Sequence, residues 1–543
     1  MRLALARRGP RAGRGLKPSA GWLGLGWLLA LPAGLPIVIV LLHFGGAEPG
    51  VLAHLNGQVL PRVLGNTLWL VAGVAIGAGL LGTAAAWLVA VYDFPGRGLF
   101  AWALLLPMAV PGYVMAFVAI GLLDYAGPVQ SALRAWLGPQ AGLPPIRSYG
   151  GVVLVMSLVL YPYVYLIARN AFATQGRRAL EVGASLGLGA FASFRKVALP
   201  LARPWIAGGV LLVAMETLAD FGTVSAFNYD TFTTAIYQSW FGLFSLGGAM
   251  HLAAMLVAIV ALLVLAEQAL RGRARYNVGR SPQPLKRLRL RGGAALCACA
   301  ALSLLLIVAF VLPVAQLAFW AVGELGELSM PRLTEAAGNT VMLAAAAALL
   351  IVVLAGLLGF ARRMQGGFAM RLSTRLATLG YALPGPVLAV GIFTPLAGLS
   401  AWAGAGLNWS LSLQTTLFAL LLAYAGRFLT VAHAPVEANL QRITRAMEEA
   451  STSLGIGGWR MFGRVHLPLL RGGLAAGATL VFVDVMKEMP ITLMMRPYGW
   501  DTLAVRIYEF TAEGRWEQAA LPAVLLVITG FLPVALLTLR GEK

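Results

Sequence analysis

Four carboxylates in apolar surroundings are the residues of this chain best suited to do chemistry. They form two pairs with the same internal spacing of four, and the pairs lie 268 positions apart: Glu216 with Asp220, and Asp484 with Glu488. On a helix, residues i and i+4 share one face, about 6 Å apart along the axis. Charged groups inside a membrane are costly and usually line cavities or ion paths, and oxygen ligands suit hard cations. The pattern predicts a translocation path with transient contacts and no lasting metal site.

The same acids also allow a structural interpretation. Lys487 lies three residues after Asp484 and could neutralise it in an ion pair, and acids close to a helix end can reach the membrane interface. Nearby methionines could indicate a soft-metal site, but beside carboxylates they are better explained by packing: Met486, Met489, Met494 and Met495. The path and the ion pair therefore stand as alternative hypotheses.

Each pair of acids is followed by a helix breaker at an equivalent position, Gly222 in one case and Pro490 in the other. Residues of these types interrupt regular helix. We therefore expect the helix that carries each pair to end here, and a re-entrant or gating segment to follow on the outer side of the membrane.

Two polar, basic loops share a second pattern. In residues 181–200 and again in 449–468, a Glu is followed by Gly six residues later and by a closing Leu-Pro. The sequence predicts a short helix over 177–186 and over 445–454, a turn at the Gly, and then a short amphipathic segment. Leu-Pro would start the next membrane helix, where Pro is tolerated. A projecting loop of this kind is suited to dock into a groove on a partner. The alternative is an amphipathic loop that lies on the membrane surface.

The composition is that of a polytopic membrane protein. Of the 543 residues 59% are hydrophobic and only 11% are charged, against about 25% charged in soluble domains. The net charge of +20 does not indicate nucleic acid, because the basic residues cluster in the segments between apolar runs, as the positive-inside rule expects. Cys297 and Cys299 match no metal or disulfide spacing.

Twelve apolar runs approach or exceed the roughly 20 residues that a membrane-spanning helix needs. They lie near 21–44, 66–92, 99–123, 150–170, 204–222, 246–267, 294–321, 339–362, 374–398, 411–433, 471–489 and 518–540. We therefore expect an all-α fold of two six-helix repeats, 21–267 and 294–540, with a basic tail (1–20) and a basic linker (268–293). If both termini are cytoplasmic, the inner segments hold 31 Lys and Arg and the outer segments seven, which favours this orientation.

Several short motifs recur in the two halves. Pro61-Arg62 with Asn66-Thr67 returns as Pro331-Arg332 with Asn339-Thr340, and Pro111-Gly112 returns as Pro384-Gly385 inside the third span of each half. Halves that begin on the same side of the membrane are parallel repeats. A pseudo-two-fold axis along the membrane normal is then expected, with the pathway between the halves.

On the evidence of both loops, the chain resembles the fused permeases of iron(III) ABC importers over nearly its whole length. The loops match the family's pattern of Glu-Ala-Ala, Gly and Ile-x-Leu-Pro, although the first reads Glu-Val-Gly and both have Val in place of Ile. The stretches 216–224 and 487–497 look most specific to that branch. The resemblance implies a type I importer fold in the bacterial inner membrane, and a binding protein that delivers ferric iron from outside.

The resemblance also implies that the two loops are coupling helices, each seated on one copy of an ATPase homodimer. Carried over by position, the expected coupling residues are Glu181, Ala184, Gly187, Leu199, Pro200, Glu449, Ala450, Gly455, Leu467 and Pro468. The chain lacks the phosphate-binding Gly-x-x-x-x-Gly-Lys-Ser/Thr motif. We therefore expect it to be a permease and not an enzyme, in contact with lipid, with ATP and Mg bound by the partner and no cofactor of its own.

Other functions fit less well. The same architecture serves permeases for thiamine, phosphonates or polyamines, so the substrate rests on the resemblance alone. A 12-span secondary transporter would explain parallel halves and intramembrane acids, but has no use for two matched docking loops. A membrane enzyme is disfavoured because the five histidines are scattered and form no catalytic cluster with the cysteines.

Overall fold

The computed structural model describes residues 20–271, 287–326, 329–407 and 412–541, which are almost entirely helical. The predicted basic tail and most of the predicted linker lie outside these residues. The first half contains α1 (Ala20–Leu42), α2 (Pro49–His54), α3 (Leu60–Val91), α4 (Arg97–Ala103), α5 (Gly112–Leu123), α6 (Pro128–Leu137), α7 (Tyr149–Ser185), α8 (Ala190–Ser193), α9 (Leu199–Ala219), α10 (Gly222–Ala226), α11 (Phe232–Tyr237) and α12 (Leu246–Arg271).

The second half repeats the series of long spans and short connecting helices. It contains α13 (Gly293–Leu306), α14 (Leu312–Gly323), α15 (Met330–Met364), α16 (Phe368–Ala377), α17 (Gly385–Leu407), α18 (Leu417–Leu440), α19 (Arg445–Ser453), α20 (Gly458–Met461), α21 (Leu467–Met486), α22 (Pro490–Met495), α23 (Leu503–Ala512) and α24 (Trp516–Gly541). The all-α class expected from the sequence is confirmed.

Eleven helical stretches among the described residues are long and apolar enough to cross a membrane. Each overlaps one of the first eleven predicted spans, although several begin or end more than ten residues from the predicted limits. The twelfth, 518–540, falls within α24, where residues 516–530 form a shorter apolar stretch and the side chains from 531 onward are not described. The protein is therefore a multi-pass membrane protein; the exact limits of its two repeats stay a prediction.

The third span is interrupted in both halves. A 3₁₀ turn, Leu106–Ala109, separates α4 from α5, and the turn Gly380–Ala382 separates α16 from α17, each just before the recurring Pro-Gly. A break inside a membrane frees carbonyl groups that must find other donors. The fourth span supplies them: Tyr161 and Tyr165 donate from their hydroxyls to Leu104 O and Ala101 O at 3.0 and 3.1 Å.

In the second half, a different side chain of the fourth span donates to the freed carbonyl group. The Thr430 hydroxyl on α18 donates to the carbonyl oxygen of Thr378, at the end of α16, at 2.7 Å. The interrupted third span is therefore a feature of the repeat, and each half satisfies the freed carbonyls from its own fourth span.

Four helices widen into a π-helical turn immediately before a Leu-Pro pair. These turns are Leu55–Val59, Phe194–Ala198, Ile307–Val311 and Phe462–His466. Proline has no N–H and its ring clashes with the carbonyl four residues earlier, which a helix relieves by inserting one extra residue in the turn. The Leu-Pro pairs that close the two loops therefore start α9 and α21 after a widened turn.

The described residues divide into two compact units. The larger comprises Pro36–Leu343, Ala382–Leu420 and Met486 to the C-terminus. In it α3, α7 and α9 pack together, and α24 packs on α14 and α23. Its two-residue strands β1 (Tyr92–Asp93) and β2 (Leu288–Arg289) pair in parallel, with Tyr92 opposite Leu288. The loop after α3 and the end of the linker therefore lie on the same side of the membrane.

The smaller unit comprises residues up to Leu35, Ala344–Tyr381 and Leu421–Val485. Four aromatic side chains pack together in it: Trp22 contacts Phe360 and Trp459 with ring centroids 5.1 and 4.8 Å apart, and Phe462 contacts Phe360 at 4.9 Å. These contacts attach the second loop, which carries Trp459 and Phe462, to α1 and α15.

Candidate functional site

The helices that carry the acid pairs end before the second acid of each pair. α9 ends at Ala219 and α21 at Met486, so the prediction that each pair shares one helix face is wrong. Asp220 accepts hydrogen bonds from the Thr223 hydroxyl at 2.9 Å and the Val224 N–H at 3.1 Å. These contacts make it a cap for the helix that follows, a role short acids favour because free N–H groups stand at a helix start.

Glu488 repeats this arrangement in the second half. Its carboxylate accepts the Ile491 N–H, in the first turn of α22, at 3.0 Å, and the Thr492 hydroxyl donates to the Glu488 carbonyl at 2.7 Å. Gly222 and Pro490 begin the short helices α10 and α22, so the helix of each acid pair has ended before them; that a re-entrant or gating segment follows stays a prediction. Glu216 lies one helical turn before Asp220 in the larger unit, whereas Asp484 belongs to the smaller unit.

Two helical hairpins follow the acids: α10 with α11, and α22 with α23. Each is attached to the second span of its own half by the recurring Asn-Thr motif. Asn66 donates to Asp230 O at 3.0 Å, and Asn339 donates to Asp501 O at 3.2 Å.

The threonines of the motif complete the attachment. Thr67 accepts the N–H of Phe232 at 3.3 Å, and Thr340 accepts the N–H of Leu503 at 2.9 Å. Sequence analysis found this motif only as a repeat marker. Its recurrence in both halves was the signal, but the hydrogen bonds span more than 160 residues and could not be read from it.

The hairpins meet in one buried group of side chains, the aromatic cluster, within the larger unit. Its members are Phe221, Met489 and Ala504, with Tyr113, Tyr237, Leu493 and Tyr508 packed against them. A Cβ on Gly222 would lie 2.7 Å from the Tyr113 Cβ and 2.8 Å from the Met489 methyl, so only glycine allows this approach. Phe221 and Met489 occupy equivalent positions of the two repeats, as expected if the pseudo-two-fold axis passes through the cluster.

The cluster carries no charge at physiological pH. Phe221 lies 5.3 Å from Tyr237 and 5.8 Å from Tyr508 between ring centroids. Burial, followed by the neighbouring Tyr508 phenol, raises the pKa of Tyr237 to about 12. A neutral, closely packed aromatic group is suited to seal a pathway against water and ions, with the Asp220 and Glu488 caps at its border.

Four charged side chains of the second hairpin form a closed set of ion pairs, here called the ionic ring. Arg496 contacts Asp501 at 2.8 Å and Glu509 at 3.0 Å, and Arg506 contacts Asp501 at 2.9 Å and Glu509 at 3.0 Å. The ring joins the end of α22 to α23. The first hairpin has instead a pair with the second span, Arg62 to Asp230 at 2.9 Å.

The two loops close with the same turn. Gly187 and Gly455 have φ of +71° and +74°, a conformation that favours glycine. The short helix predicted over 445–454 is confirmed as α19, but the one predicted over 177–186 is wrong: those residues extend α7, which runs without interruption to Ser185. The predicted amphipathic segments follow as α8 and α20.

Each loop exposes two equivalent apolar side chains. Leu186 is 67% exposed and Leu454 78%, and Phe191 is 77% exposed and Trp459 56%. Glu181, Ala184, Glu449 and Ala450 are also exposed, and Leu199-Pro200 and Leu467-Pro468 begin α9 and α21. Exposed apolar side chains on a loop that also carries an exposed carboxylate are compatible with a docking surface.

The second loop has an anchor that sequence analysis did not identify. Glu448 accepts from Arg363 at 2.5 Å and lies 3.1 Å from the buried His466 ring nitrogen Nε2. Arg363 also donates to the carbonyls of Leu440 at 2.6 Å and of Ile443. One arginine on α15 therefore fixes the end of α18 and the start of α19. The first loop carries the apolar Leu180 and Ala198 at the positions of Glu448 and His466.

No group of three or more His, Cys, Asp or Glu side chains among the described residues is arranged to hold a metal ion. Tyr113 adds one buried polar atom to the aromatic cluster, a phenol oxygen without a hydrogen-bond partner among those residues. The arrangement is thus two exposed loops, two capped hairpins and a neutral aromatic cluster, which is a geometry for gating and docking.

Comparison with known proteins gives one family. The sequence profile described as "Binding-protein-dependent transport system inner membrane component" matches residues 78–272 and again residues 351–540. A Fe(3+)-transport system permease protein of Haemophilus influenzae is 29% identical over 94% of this chain and 96% of its own length.

Other relatives are shorter and match part of the chain. A probable molybdenum ABC transporter permease protein of Haloferax volcanii is 31% identical over 44% of this chain and 86% of its own length. A sulfate transport system permease protein of Escherichia coli is 30% identical over 37% of this chain and 69% of its own length. Only the Haemophilus protein, of these three, is matched across both repeats.

Proposed function

The chain belongs to the family of binding-protein-dependent transport system inner membrane components, and we propose that its cargo is ferric iron, delivered from outside by a substrate-binding protein. Membership makes it the membrane permease subunit of an ABC importer and not the ATP-hydrolysing enzyme. One observation carries the choice of cargo: the Fe(3+)-transport permease of Haemophilus influenzae is similar to this chain across both repeats.

The proposed mechanism starts at the two loops. A pair of ATPase subunits, which binds ATP and Mg, seats one loop in each subunit, with Leu186 and Phe191 buried at one contact and Leu454 and Trp459 at the other. Glu181 and Glu449 beside them would take basic partners. Closure of the ATPase pair would then move α9 and α21, since each loop leads directly into one of these helices through its Leu-Pro.

The other ends of α9 and α21 lead into the hairpins. Movement of these helices would shift Asp220 and Glu488 together with the hairpins that they cap, and so open the aromatic cluster. Ferric ion would pass the cluster while making brief contacts with the acids of the path. This orientation, with both termini and both loops in the cytoplasm, is supported by the excess of basic residues in those segments.

The proposal is tested by uptake of labelled ferric iron in a bacterial strain that lacks its own ferric importer. The full chain is expressed together with the ATPase and the binding protein of its transport system. Uptake above the empty-vector level is expected, and it should vanish in the double variant Glu181→Lys/Glu449→Lys while the permease remains in the membrane. Uptake of molybdate, sulfate or thiamine in place of iron would overturn the choice of cargo.

A further inference from the structure

A polar cleft of about 370 Å³ lies beside the second hairpin. It is formed by the first turn of α15, by α23 and by the start of α24. Its charged lining consists of Arg332, Arg506, Glu509, Glu513 and Arg515. In the proposed orientation the cleft opens on the outer side, where a substrate-binding protein arrives.

Arg332 has no carboxylate partner of the kind that Arg62 has in the first half. Arg62 follows the proline at the start of its helix, as Arg332 does, but lies four residues before its Asn-Thr motif and not seven; it pairs with Asp230 of the first hairpin at 2.9 Å. The corresponding acid of the second hairpin is Asp501, but the ionic ring already uses it: Arg496 and Arg506 contact it at 2.8 and 2.9 Å. Arg332 is exposed and has no ion-pair partner within the described ranges.

The remaining charges leave the cleft with an excess of positive charge. Glu509 is held by both arginines of the ring, and Glu513 pairs with Arg515 at 3.1 Å. Three guanidinium groups therefore face two carboxylates, and the guanidinium without a carboxylate is Arg332. A carboxylate is the group that would complete the set, because guanidinium binds it through paired hydrogen bonds.

The cleft also shares residues with the gate. Arg506 and Glu509 line it and at the same time belong to the ionic ring, and Tyr508 between them in the sequence packs in the aromatic cluster. A group bound in the cleft would compete with Asp501 and Glu509 for Arg506, and would thereby weaken the ion pairs of the second hairpin.

We propose that this cleft is a docking socket for an acidic side chain, Asp or Glu, of the substrate-binding protein, which pairs with the Arg332 guanidinium. The inference rests on the proposed function for the presence and side of that partner. Docking then weakens the hold of the ionic ring on Arg506, which links arrival of the loaded binding protein to release of the second hairpin. The first hairpin has no such socket because its arginine is already paired within the chain.

The test uses the assembled importer, permease with its ATPase, in lipid nanodiscs. The ATPase rate is measured against the concentration of the iron-loaded binding protein. Arg332→Glu should raise the concentration for half-maximal stimulation about tenfold or more, since a like-charge contact replaces an attractive one. Arg332→Lys should change it less than about threefold, and the difference between wild type and Arg332→Glu should shrink as salt is added.

A matched pair of acid substitutions tests for a shift of the half-maximal concentration in the opposite direction. Glu513→Gln removes a negative charge inside the cleft and should lower the half-maximal concentration, whereas Glu335→Gln makes the same change on the exposed face of α15, outside the cleft lining, and should leave it nearly unchanged. The basal ATPase rate and the ratio of subunits should stay at wild-type values in all four variants.

Two results would overturn the socket. One is a normal half-maximal concentration in Arg332→Glu. The other is a raised basal rate with no change in that concentration, which would assign Arg332 to the gate within this chain. If the binding protein does not stimulate even the wild type and no iron is taken up, the proposed function has failed and the socket with it. If the wild type is stimulated but the half-maximal concentration is the same in all Arg332 variants, only the socket is overturned.

Discussion

Ser193 and Ser451 donate hydroxyl hydrogen bonds to equivalent carbonyl groups of the two loops, although they stand on opposite limbs of the turn. The Ser193 hydroxyl donates to Leu188 O at 3.4 Å, and the Ser451 hydroxyl donates to Ile456 O at 2.9 Å. The first loop has Gly183 where the second has Ser451. A Cβ on Gly183 would lie 2.0 Å from the Ser193 Oγ, so the first loop has room for one of the two hydroxyls only.

Because the serine stands on a different limb of the turn in each loop, we predict that substitutions at Gly183 and Ser193 have strongly non-additive effects on ATPase binding. Gly183→Ser alone should distort the first loop because the new side chain meets Ser193, and Ser193→Gly alone should remove the hydrogen bond to Leu188 O, at a cost of about 0.5–1.5 kcal/mol. The double variant Gly183→Ser/Ser193→Gly should recover part of the loss, since the new serine can donate as Ser451 does. Retention of the ATPase on the purified permease measures the effect; additive losses would contradict the exchange.

The exposed leucines of the loops should carry much of the docking affinity. Burial of one leucine side chain contributes about 1.5–3 kcal/mol, and Leu186 and Leu454 are both exposed. The double variant Leu186→Ser/Leu454→Ser is therefore expected to lose the ATPase during purification while the permease stays intact, and each single variant should lose part of it. Co-purification in mild detergent measures this directly.

Leu137→Ser is the control for the leucine substitutions. Leu137 is 72% exposed at the end of α6, which the proposed topology places on the opposite side of the membrane from the loops. Its replacement should not change the amount of ATPase retained. Full assembly of the double loop variant would show that these leucines contact lipid, as an amphipathic surface loop would.

The sequence predicted the elements whose cause is local. Long apolar runs specify the spans, and Gly187 and Gly455 specify the turns that close the two loops. The first loop was predicted to begin with a separate helix because its composition resembles that of the second. It extends α7 instead, which continues from the fourth span without a turn, whereas the second loop has a turn before Arg445.

Contacts between distant parts of the chain could not be predicted from the sequence. The acid pairs were assigned to one helix face from their spacing of four, but the backbone leaves the helix before Asp220 and Glu488 because free N–H groups of the next helices attract these carboxylates. Neither the ionic ring nor the aromatic cluster has a sequence pattern of its own. Both depend on how the hairpins pack, and this is decided by tertiary contacts that spacing does not reveal.

The topology predicts opposite accessibility for two loop positions. In a variant without Cys297 and Cys299, single cysteines are introduced as Gln140→Cys and Ser281→Cys. An impermeant thiol reagent added to intact cells should label the first and not the second, because the basic linker is retained in the cytoplasm. Labelling only after the cells are opened is expected for Ser281→Cys. The reverse pattern would invert the orientation and place the coupling loops outside.

A separate comparison tests the link between the linker and the end of α3. β1 and β2 pair in parallel, with Asp93 opposite Arg289, so these two positions must share one side of the membrane. Asp93→Cys and Arg289→Cys should respond alike to the same reagent, both protected in intact cells. Different labelling of the two would contradict the strand pairing itself, independently of orientation.

The four acids allow an experiment that separates a path for a cation from a structural cap. Asp220→Asn and Glu488→Gln keep an oxygen that can accept the Val224 or Ile491 N–H, and therefore keep the cap while removing the charge. If charge guides the cation, the quadruple variant with Glu216→Gln and Asp484→Asn should lose iron uptake, with assembly and basal ATPase activity retained. Asp220→Ala, which removes the cap at a cost of about 0.5–2 kcal/mol, should in addition disturb the gate and change the basal ATPase rate.

The outcome of Asp484→Asn alone decides between path and ion pair at that position. If Asp484 neutralises Lys487, its loss leaves a poorly solvated cation and lowers the amount of folded protein; Lys487→Met should then restore expression. A quadruple variant that is well expressed and takes up iron at the wild-type rate would remove the path hypothesis and leave Asp220 and Glu488 as helix caps.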